Sequence, residues 1–406
     1  MNRIETIVVV GGGLAAGRAV QELREQGFEG RIVLFASERH RPYERPPLSK
    51  GYLMRAEPLE KGFVHPADWY DAHGVDLRLG TPVTGLRPDQ HLVAAAGEDL
   101  AYDRLLLATG ASPRRLALAD ESGAPVAYLR TIEDSQHLRQ RLAPGLRVVI
   151  VGGGWIGLEV ASAARTAGCE VTVVETLTKP LLRVLGSEVA DVFLRLHEEH
   201  GVVFRLGASI SGVESRGTTS VVHLEDGTDL EADLLVAGVG VSPNADLATA
   251  AGLDSDNGIL VDEHLRTSNP DVFAAGDVAN AHHPLLGRRV RVEHWDNAIQ
   301  QGRAAARSML GDPEPYARLP YFFTDQYDLG MEYVGHVGPE GYDDVVLRGD
   351  VAGRVFTAFW LSGGKVIAGM HANDWDAIDP VRRVVSAGSV DLGALRDSSV
   401  PLADLA

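Results

Sequence analysis

Two stretches of the chain share one pattern of apolar and polar positions. Residues 6–38 and 147–175 each begin with an apolar run (TIVVV and RVVIV), pass through a glycine cluster, continue at helical spacing and end in a second apolar run. A strand, a helix and a second strand in this order form a β-α-β unit, whose crossover requires a parallel sheet. Each unit has a later apolar run that stops at glycine and proline, LLLATGASP (105–113) and LLVAGVGVSP (234–243). The pattern predicts two similar α/β domains in one chain.

Beyond about residue 326 the pattern changes to alternating apolar and polar positions. The segment RVFTAFWLSGGKVIAGMHA (354–372) contains two strand-like runs around Ser362, Gly363 and Gly364, which is typical of a hairpin. Residues 379–388 have helical spacing, and we expect the tail to Ala406 to be poorly ordered. The predicted fold class is therefore α/β, with two Rossmann-like dinucleotide-binding domains and a small α+β C-terminal domain.

The glycines of both units follow the G-x-G-x-x-G/A spacing of dinucleotide-binding loops. In such a loop the first glycine makes the turn, the second lets the backbone approach a pyrophosphate, and the third position lets helix and strand pack closely. The helix N-terminus then points at the phosphates. The positions are Gly11, Gly13 and Ala16 in the first unit and Gly152, Gly154 and Gly157 in the second. One such loop is a weak indication, but two in the same strand-to-helix context predict two bound dinucleotides.

An acidic residue follows the last strand of each unit. Glu175 is placed to hold a ribose 2′-hydroxyl and to repel a 2′-phosphate. The segment after it contains Lys179 and Arg183 but no adjacent pair of arginines, which favours NADH over NADPH. In the first unit Glu38 would hold an adenosine ribose in the same way, or else it is an exposed carboxylate in a loop.

The composition argues against several classes of protein. A formal net charge of −18 disfavours a general nucleic-acid binder, although Arg288, Arg289 and Arg291 form either a patch for an acidic partner or a solvated strand face. The single cysteine, Cys169, excludes an intramolecular disulfide, and the histidines lack the spacing of metal ligands, so we expect no metal. Neither a signal-peptide pattern nor an apolar run of about 18 residues is present, so we expect a cytoplasmic protein without a membrane partner.

Five motifs occur in a recognisable order along the chain: RPPLSKGY (45–52), GGGWIGLEVA (152–161), VFAAGDVA (272–279), EHWDNAIQQGRAAA (293–306) and YFFTDQYD (321–328). From Ile4 to about Val385 the sequence resembles the FAD-dependent NADH:ferredoxin reductases. This family includes the putidaredoxin reductase, biphenyl-dioxygenase ferredoxin reductase and rubredoxin reductase types and is related to apoptosis-inducing factor.

The resemblance implies a glutathione-reductase-like arrangement with FAD in the first domain and NAD in the second. The implied boundaries are 1–112 and 245–325 for the FAD-binding domain, 113–244 for the NAD-binding domain and 326–406 for the C-terminal α+β interface domain. The implied cofactor contacts are Gly11, Gly13, Leu14, Ala15, Ala16, Glu38, Arg45, Lys50, Val83, Ala108, Thr109, Gly110, Arg130, Asp277, Val278, Glu293, His294, Trp295, Gly152, Gly154, Trp155, Ile156, Gly157, Glu159, Glu175, Arg183 and Gly238.

Some of these implied roles leave an alternative open. Asp277 would accept hydrogen bonds from the ribityl hydroxyls of FAD. Trp295 would lie near the isoalloxazine or fill the core. Trp155 and Ile156 would cover the nicotinamide or gate its entry, with core packing as the alternative for Trp155. Glu159 would also help to orient the carboxamide.

The segment YERPPLSKGY (43–52) delivers a lysine from a stiff backbone, because Pro46 and Pro47 cannot lie inside a helix or a central strand. The resemblance places Lys50 beside the flavin, where a fixed ammonium stabilises the negative charge of the reduced ring. A buried lysine is costly unless it is paired, so a carboxylate should be close. Glu159 is the candidate by resemblance, and we expect Lys50 and Glu159 to form the catalytic pair.

The function implied by the resemblance is an oxidoreductase that passes electrons from NADH through FAD to a small [2Fe–2S] ferredoxin serving an oxygenase or a cytochrome P450. The lack of a second cysteine argues against the disulfide chemistry of glutathione-reductase-like and thioredoxin-reductase-like enzymes. Two alternatives remain. One is an NADH-dependent reductase of a small-molecule acceptor such as a quinone or a radical, and the other is a redox-sensing NADH-binding flavoprotein.

Overall fold

The structure, a computed structural model, describes residues 3–406. The strands, numbered in chain order, are β1 (Thr6–Val10), β2 (Arg31–Phe35), β3 (Val75–Arg78), β4 (Val83–Arg87), β5 (Leu92–Ala95), β6 (Glu98–Ala101), β7 (Arg104–Leu107), β8 (Ala111–Pro113), β9 (Val126–Ala127), β10 (Arg147–Val151), β11 (Glu170–Glu175), β12 (Val203–Leu206), β13 (Ile210–Arg216), β14 (Thr219–Leu224), β15 (Asp229–Ala232), β16 (Leu234–Ala237), β17 (Val241–Pro243), β18 (Ile259–Val261), β19 (Val272–Ala274), β20 (Ala279–His283), β21 (Arg288–Arg291), β22 (Tyr321–Gln326), β23 (Leu329–Gly335), β24 (Asp344–Asp350), β25 (Val355–Ser362) and β26 (Lys365–Ala372).

The α-helices, numbered in the same way, are α1 (Leu14–Glu25), α2 (Trp69–Ala72), α3 (Ala117–Ser122), α4 (Ile132–Arg141), α5 (Trp155–Thr166), α6 (Leu182–Glu199), α7 (Asp246–Ala250), α8 (Trp295–Met309), α9 (Ile378–Ala387) and α10 (Leu392–Arg396). Short 3₁₀ turns cover Pro46–Ser49, Leu59–Gly62, Pro88–Gln90, Gly276–Val278 and Leu402–Asp404. The chain divides into two compact units. Unit 1 consists of residues 3–46, Pro58–Ser112 and Val241–Pro320, and unit 2 of Pro47–Glu57, Pro113–Gly240 and Tyr321–Ala406.

Unit 1 is built around a parallel sheet with the strand order β19-β7-β1-β2-β3. The central strand β1 is apolar without alternation because both of its faces are covered, and Val8 and Val9 are fully buried. Helices α1 and α8 pack closely because Gly302 has no side chain. A Cβ there would lie closer than 3.0 Å to the carbonyl oxygen of Ala15. Two smaller sheets, β4-β5-β6 and β18-β20-β21, complete this unit.

Unit 2 repeats the arrangement with a parallel sheet in the order β12-β11-β10-β16-β9. A small antiparallel sheet, β13-β14-β15, follows within this unit. The C-terminal part adds a five-stranded antiparallel sheet, β22-β23-β26-β25-β24. Helix α9 packs on this sheet, since a Cβ at Gly369 would meet Val381. The α/β fold class with two similar parallel-sheet domains is therefore confirmed.

The hairpin and the helix predicted near the C-terminus are also confirmed. Strands β25 and β26 are joined by a turn in which Gly363 and Gly364 both have positive φ, and α9 covers most of residues 379–388. The expectation of a poorly ordered tail is wrong. Residues after α9 form α10 and a 3₁₀ turn, and the buried guanidinium of Arg348 donates hydrogen bonds to the carbonyl oxygens of Leu395, at 3.2 Å, and Val400.

The three-domain boundaries stay a prediction. Within residues 3–406, we find no helix with both the length and the apolar character needed to cross a membrane.

Candidate functional site

The first glycine loop joins β1 to α1 in unit 1. Gly11 has φ +123°, and a Cβ at this position would lie closer than 3.0 Å to the carbonyl oxygen of Ala108, so only glycine fits the turn. At Gly13, which precedes the first turn of α1, the φ of −89° is open to any residue. Apart from its chain neighbours, no atom of the described chain lies within 4 Å of the position that a Cβ would take there. The loop therefore leaves an open cradle at the N-terminus of α1.

The second glycine loop has the same construction in unit 2. Gly152 has φ +106°, and its Cβ would lie closer than 3.0 Å to the carbonyl oxygen of Gly238. A Cβ at Gly157 would meet the carbonyl oxygen of Gly152 at a similarly short distance, so the third glycine is required for close packing of α5. Gly154 is the N-cap of α5, and the space around its missing Cβ is free of other described residues within 4 Å.

Both loops fit the pyrophosphate group of a dinucleotide. A methyl group at Gly13 or Gly154 would fill the space that a phosphate needs next to the backbone N–H groups, whereas the other loop glycines are fixed by the protein's own packing. The free N–H groups and the helix dipole of α1 and α5 favour a negative charge at the same place. The donor set and the open space of the two loops thus match two dinucleotides.

The turn that carries Asp277 lies against the first loop. The backbone N–H of Gly276 donates to Oε1 of Gln301 at 2.9 Å, and a Cβ at Gly276 would lie 3.1 Å from the Cβ of Ala15. The carbonyl oxygen of Asp277 accepts a hydrogen bond from Nη1 of Arg291 at 3.1 Å. Unit 1 thereby brings the predicted residues Asp277 and Val278 next to the N-terminal turn of α1, which contains Leu14, Ala15 and Ala16.

The carboxylate of Glu38 is fixed by two donors from the segment that follows it. The hydroxyl of Tyr43 donates to Oε2 at 2.5 Å, and Nη2 of Arg45 donates to Oε1 at 3.1 Å. Burial raises the pKa of Tyr43, so the phenol keeps its proton and remains a donor. The Glu38 side chain is only 27% exposed, so these two hydrogen bonds fix the position of its carboxylate. The lone pairs that remain can accept a hydrogen bond from a ribose hydroxyl.

Glu175 closes the second loop from the end of β11. Its Oε2 accepts the backbone N–H of Gly153 at 2.7 Å, and its Oε1 accepts that of Leu177 at 2.8 Å. Lys179, which is nearby in sequence, is directed elsewhere. Its ammonium donates to Oδ2 of Asp191 and to Oγ of Ser187, both at 2.7 Å.

Lys50 and Glu159 form an ion pair in unit 2. The ammonium Nζ of Lys50 lies 2.5 Å from Oε1 of Glu159, and the two side chains are 15% and 5% exposed. Glu159 accepts two further hydrogen bonds, from Oγ of Ser49 at 2.5 Å and from Oγ1 of Thr324 at 2.7 Å. The ring of Phe323 has its centroid 5.5 Å from Nζ, which adds a cation–π contact. The prediction that a carboxylate accompanies Lys50, and that it is Glu159, is confirmed by this geometry.

The prolines before Lys50 shape its segment as expected. Pro46 and Pro47 open a 3₁₀ turn, and the buried side chain of Ser49 follows directly. The carbonyl oxygen of Leu48 accepts a hydrogen bond from Oγ of Ser135 at 2.7 Å, which ties the segment to α4. The ammonium of Lys50 therefore extends from a backbone with little freedom to move.

The remaining predicted residues lie at the ends of strands and helices. Thr109 donates from Oγ1 to the carbonyl oxygen of Asn244 at 2.7 Å, and the backbone N–H of Asn244 donates to the carbonyl oxygen of Gly110 at 2.9 Å. In unit 1, Val83 begins β4, Glu293 pairs with Arg291, His294 is the N-cap of α8 and Trp295 is its half-buried first residue. In unit 2, the backbone N–H of Arg130 donates to Oδ2 of Asp134 at 3.0 Å, and Arg183 is exposed in the first turn of α6.

The two side chains that begin α5 face different surroundings. Trp155 packs against the rings of Phe193 and Phe322, with centroid distances of 5.7 Å and 5.1 Å. Ile156 is 44% exposed beside the open cradle. Of the two, Ile156 is therefore the side chain available to a ligand in that cradle.

Sequence reasoning missed the polar partners of the predicted residues. In unit 1, Tyr43 holds Glu38 and Gln301 holds the turn before Asp277, and in unit 2, Ser49 and Thr324 hold Glu159, yet none of the four was predicted. Ser49 and Thr324 lie inside the motifs RPPLSKGY and YFFTDQYD, and Gln301 lies inside EHWDNAIQQGRAAA. The motifs were the available signal, since a small polar residue within an otherwise apolar or rigid segment often has a buried hydrogen-bond partner.

The sequence raised two other kinds of chemistry, a metal centre and a reactive thiol. Across residues 3–406 no group of three or more His, Cys, Asp or Glu side chains is arranged to hold a metal ion. Cys169 is buried in the core of unit 2, and burial raises the pKa of its thiol. A thiol in this environment is a poor nucleophile.

Comparisons with known proteins show the family of this chain. The family model of pyridine nucleotide-disulphide oxidoreductases matches residues 5–302, and the reductase C-terminal family matches residues 321–406. The chain is 40% identical to the ferredoxin–NAD(+) reductase component of the anthranilate 1,2-dioxygenase system of Burkholderia cepacia, over 98% of both chains. It is 39% identical to putidaredoxin reductase of Pseudomonas putida, over 100% of this chain and 97% of the relative.

A solved structure shows the same similarity along nearly the whole chain. The reductase in the crystal structure of the covalent putidaredoxin reductase–putidaredoxin complex superimposes with a TM-score of 0.94 at 38% identity, covering 99% of this chain and 98% of that chain. The family matches cover the two glycine cradles, the Lys50–Glu159 pair and the C-terminal sheet in turn. The chain therefore belongs to the pyridine nucleotide-disulphide oxidoreductase family, in the group that carries the reductase C-terminal domain.

Proposed function

We propose that this protein is an NADH-dependent, FAD-containing ferredoxin reductase. It passes electrons from NADH through FAD to a small [2Fe–2S] ferredoxin, which in turn serves an oxygenase or a cytochrome P450. The observation that carries the proposal is similarity over nearly the full length of two ferredoxin-reducing relatives, including the C-terminal domain. The disulfide chemistry in the family's description is excluded here, because Cys169 is the single cysteine of the chain.

The first glycine cradle is the proposed site of FAD and the second that of NADH. In unit 1, Gly11, Gly13 and the N-terminal turn of α1 would hold the FAD pyrophosphate, and Glu38 the adenosine ribose. In unit 2, Gly152, Gly154 and α5 would hold the pyrophosphate of NADH. FAD, when bound, accepts electrons in pairs from nicotinamide and releases them singly, which is what a one-electron iron–sulfur acceptor requires.

Lys50 and Glu159 are the proposed catalytic pair. The ammonium of Lys50 would stabilise the negative charge of reduced flavin, acting as a fixed charge and not as a proton donor. Glu159 offsets the cost of holding that ammonium at 15% exposure and fixes its direction through a 2.5 Å contact. Because Glu159 accepts two more donors, its position does not depend on Lys50 alone.

The preference for NADH is assigned to Glu175. Its carboxylate is held next to the second glycine loop by Gly153 and Leu177, where it would accept the ribose hydroxyls and repel a 2′-phosphate. Lys179, the basic residue four positions later, cannot offset this repulsion while it is paired with Asp191. The other contacts implied by the family resemblance are proposed to line the two cofactors.

A cytoplasmic location is part of the proposal. An enzyme that consumes NADH works where NADH is regenerated, and the free thiol of Cys169 is compatible with a reducing compartment.

The test is ferredoxin-dependent electron transfer. Purified protein, NADH and cytochrome c are mixed with and without each member of a panel of [2Fe–2S] ferredoxins, and cytochrome c reduction is followed by absorbance. We expect slow reduction without ferredoxin and a rate that rises to saturation with at least one ferredoxin. Equal rates with and without every ferredoxin, together with fast reduction of a quinone, would instead establish the small-molecule acceptor as substrate.

A further inference from the structure

The hydrogen bonds around Glu159 continue into the interior of unit 2. Thr324 donates from Oγ1 to Oε1 of Glu159 at 2.7 Å, Gln326 donates from Nε2 to Oγ1 of Thr324 at 3.1 Å, and Nε2 of His197 lies 2.7 Å from Oε1 of Gln326. The exposed fractions of Glu159, Thr324, Gln326 and His197 are 5%, 1%, 1% and 0%. We call these four side chains the Glu159 chain. It joins α5, β22 and α6.

The Glu159 chain has one direction that satisfies every hydrogen bond. A carboxylate only accepts, so the hydroxyl of Thr324 must donate to Glu159. The oxygen of Thr324 then accepts from the amide nitrogen of Gln326, which leaves the amide oxygen of Gln326 to accept from His197. His197 must therefore carry its proton on Nε2. Reversing the amide of Gln326 would take the hydroxyl proton of Thr324 away from Glu159.

His197 is suited to act as a single fixed donor. Burial lowers its pKa to about 4, so the ring is neutral at ordinary pH. Its Nδ1 has no hydrogen-bond partner among residues 3–406, so a second proton there would be unsatisfied. The ring is confined by Tyr327 and Phe204, whose centroids lie 5.1 Å and 6.2 Å away. The tautomer of His197 consequently sets the orientation of Gln326.

Stability alone does not account for this arrangement. Replacing buried polar groups with well-packed apolar ones of similar volume is often neutral or stabilising. A satisfied buried network, in contrast, selects one geometry among several. The geometry selected here is that of the Glu159 carboxylate, whose Oε1 receives both Thr324 and the ammonium of Lys50.

We propose that Thr324, Gln326 and His197 are positioning residues that fix Glu159, and through it Lys50, for the transfer of electrons from NADH to flavin. This inference rests on the proposed function. None of the three is among the residues proposed to contact a cofactor. They act in sequence through one carboxylate, so each should have the same kind of effect when its polar group is removed.

Two matched pairs of variants test the Glu159 chain from its two ends. Thr324→Val removes the hydroxyl and keeps the shape, whereas Thr324→Ser keeps the hydroxyl. His197→Met removes the donor, whereas His197→Gln has the same unbranched length and keeps an N–H at the reach of Nε2. For each variant the limiting rate of anaerobic flavin reduction and the apparent Kd of NADH are measured by stopped-flow absorbance. Two further readouts need no turnover, namely the midpoint potential of the flavin and the ¹⁵N shifts of the His197 ring.

We expect Thr324→Val and His197→Met to lower the limiting rate about tenfold or more, which corresponds to about 1.4 kcal/mol in the barrier. The apparent Kd of NADH should change by less than about twofold, because the pyrophosphate and ribose contacts are intact. The midpoint potential should become more negative as Lys50 loses its fixed position. Thr324→Ser and His197→Gln should stay close to the wild type in all three quantities, and the wild-type ¹⁵N shifts should report a proton on Nε2.

If folded Thr324→Val and His197→Met have the wild-type rate of flavin reduction and the wild-type midpoint potential, the proposal is overturned. The Glu159 chain would then have a structural role only. A ¹⁵N spectrum that places the His197 proton on Nδ1 would overturn the direction assigned to the hydrogen bonds of the Glu159 chain. If NADH fails to reduce the flavin of the wild-type protein, the proposed function fails instead, and the midpoint potentials and ¹⁵N shifts still decide the positioning role. Should one variant not fold, the other end of the Glu159 chain supplies the same comparison.

Discussion

The open cradle at Gly154 makes a single methyl group a sensitive probe of the second dinucleotide site. Gly154 has φ −80° and ψ −177°, which alanine adopts without strain, and its added Cβ would meet no described residue within 4 Å apart from its chain neighbours. Gly154→Ala should therefore fold normally. Its methyl group would instead occupy the space where the NADH pyrophosphate approaches the N-terminus of α5.

The expected loss of NADH affinity in Gly154→Ala follows from the hydrogen bonds between the backbone and the pyrophosphate. A hydrogen bond from a backbone N–H to a charged oxygen contributes about 1.5–3 kcal/mol. Losing one such bond should raise the Kd of NADH by about tenfold to a hundredfold. The FAD content should stay at the wild-type value, because the first cradle belongs to a separate loop in unit 1.

Binding is measured by titrating the oxidised protein with NAD⁺ and, anaerobically, by the NADH dependence of flavin reduction. Gly212→Ala is the matched control, since it adds the same methyl group to unit 2 at ordinary contact distance, 3.7 Å from the His223 ring. Gly13→Ala makes the equivalent change in the first cradle and should reduce the FAD content. Unchanged NAD⁺ and NADH affinity in folded Gly154→Ala would refute the assignment of the second cradle.

Three further predictions address other parts of the site. Lys50→Met should lower the limiting rate of flavin reduction more than it raises the Kd of NADH, and equal changes in both would argue for a binding role instead. Glu175→Ala should raise kcat/KM for NADPH relative to NADH, and adding Asp191→Asn should raise it further by releasing Lys179; a ratio that stays at the wild-type value in both variants would contradict the role of Glu175. The third concerns pH. The pKa of His197 lies near 4 in the folded state, mainly because of burial, against 6.5 for the unperturbed group, so between these values the unfolded state binds more protons. Stability should accordingly fall as pH drops from about 6.5 towards 4, by up to about 3 kcal/mol. His197→Gln should weaken this fall, as measured by urea midpoints at pH 7 and pH 5, and an identical fall in both proteins would contradict it.

The sequence was sufficient for the parts of the fold that depend on local pattern. Apolar runs next to G-x-G-x-x-G/A loops predicted both parallel sheets, because strands buried on both faces cannot alternate. The hairpin at Gly363 and Gly364 followed from glycines that allow positive φ. The partner of Lys50 followed from resemblance together with the cost of a buried charge.

The parts that sequence did not predict depend on contacts between distant segments. Thr324 reaches Glu159 across 165 positions, and His197 reaches Gln326 across 129, so no local pattern reports either bond. The ordered tail was missed for the same reason. The buried guanidinium of Arg348, which donates hydrogen bonds to two carbonyl oxygens of the tail, comes from β24.

An anaerobic titration of the purified protein with NADH, followed through the visible absorbance of its flavin, tests the proposed reductase in a single experiment. We expect a yellow protein whose flavin is bleached by one equivalent of NADH and whose colour returns when an oxidised [2Fe–2S] ferredoxin is added. A colourless protein that binds no FAD would contradict the assignment of both cradles. A yellow protein that NADH leaves unbleached would contradict the proposed reductase.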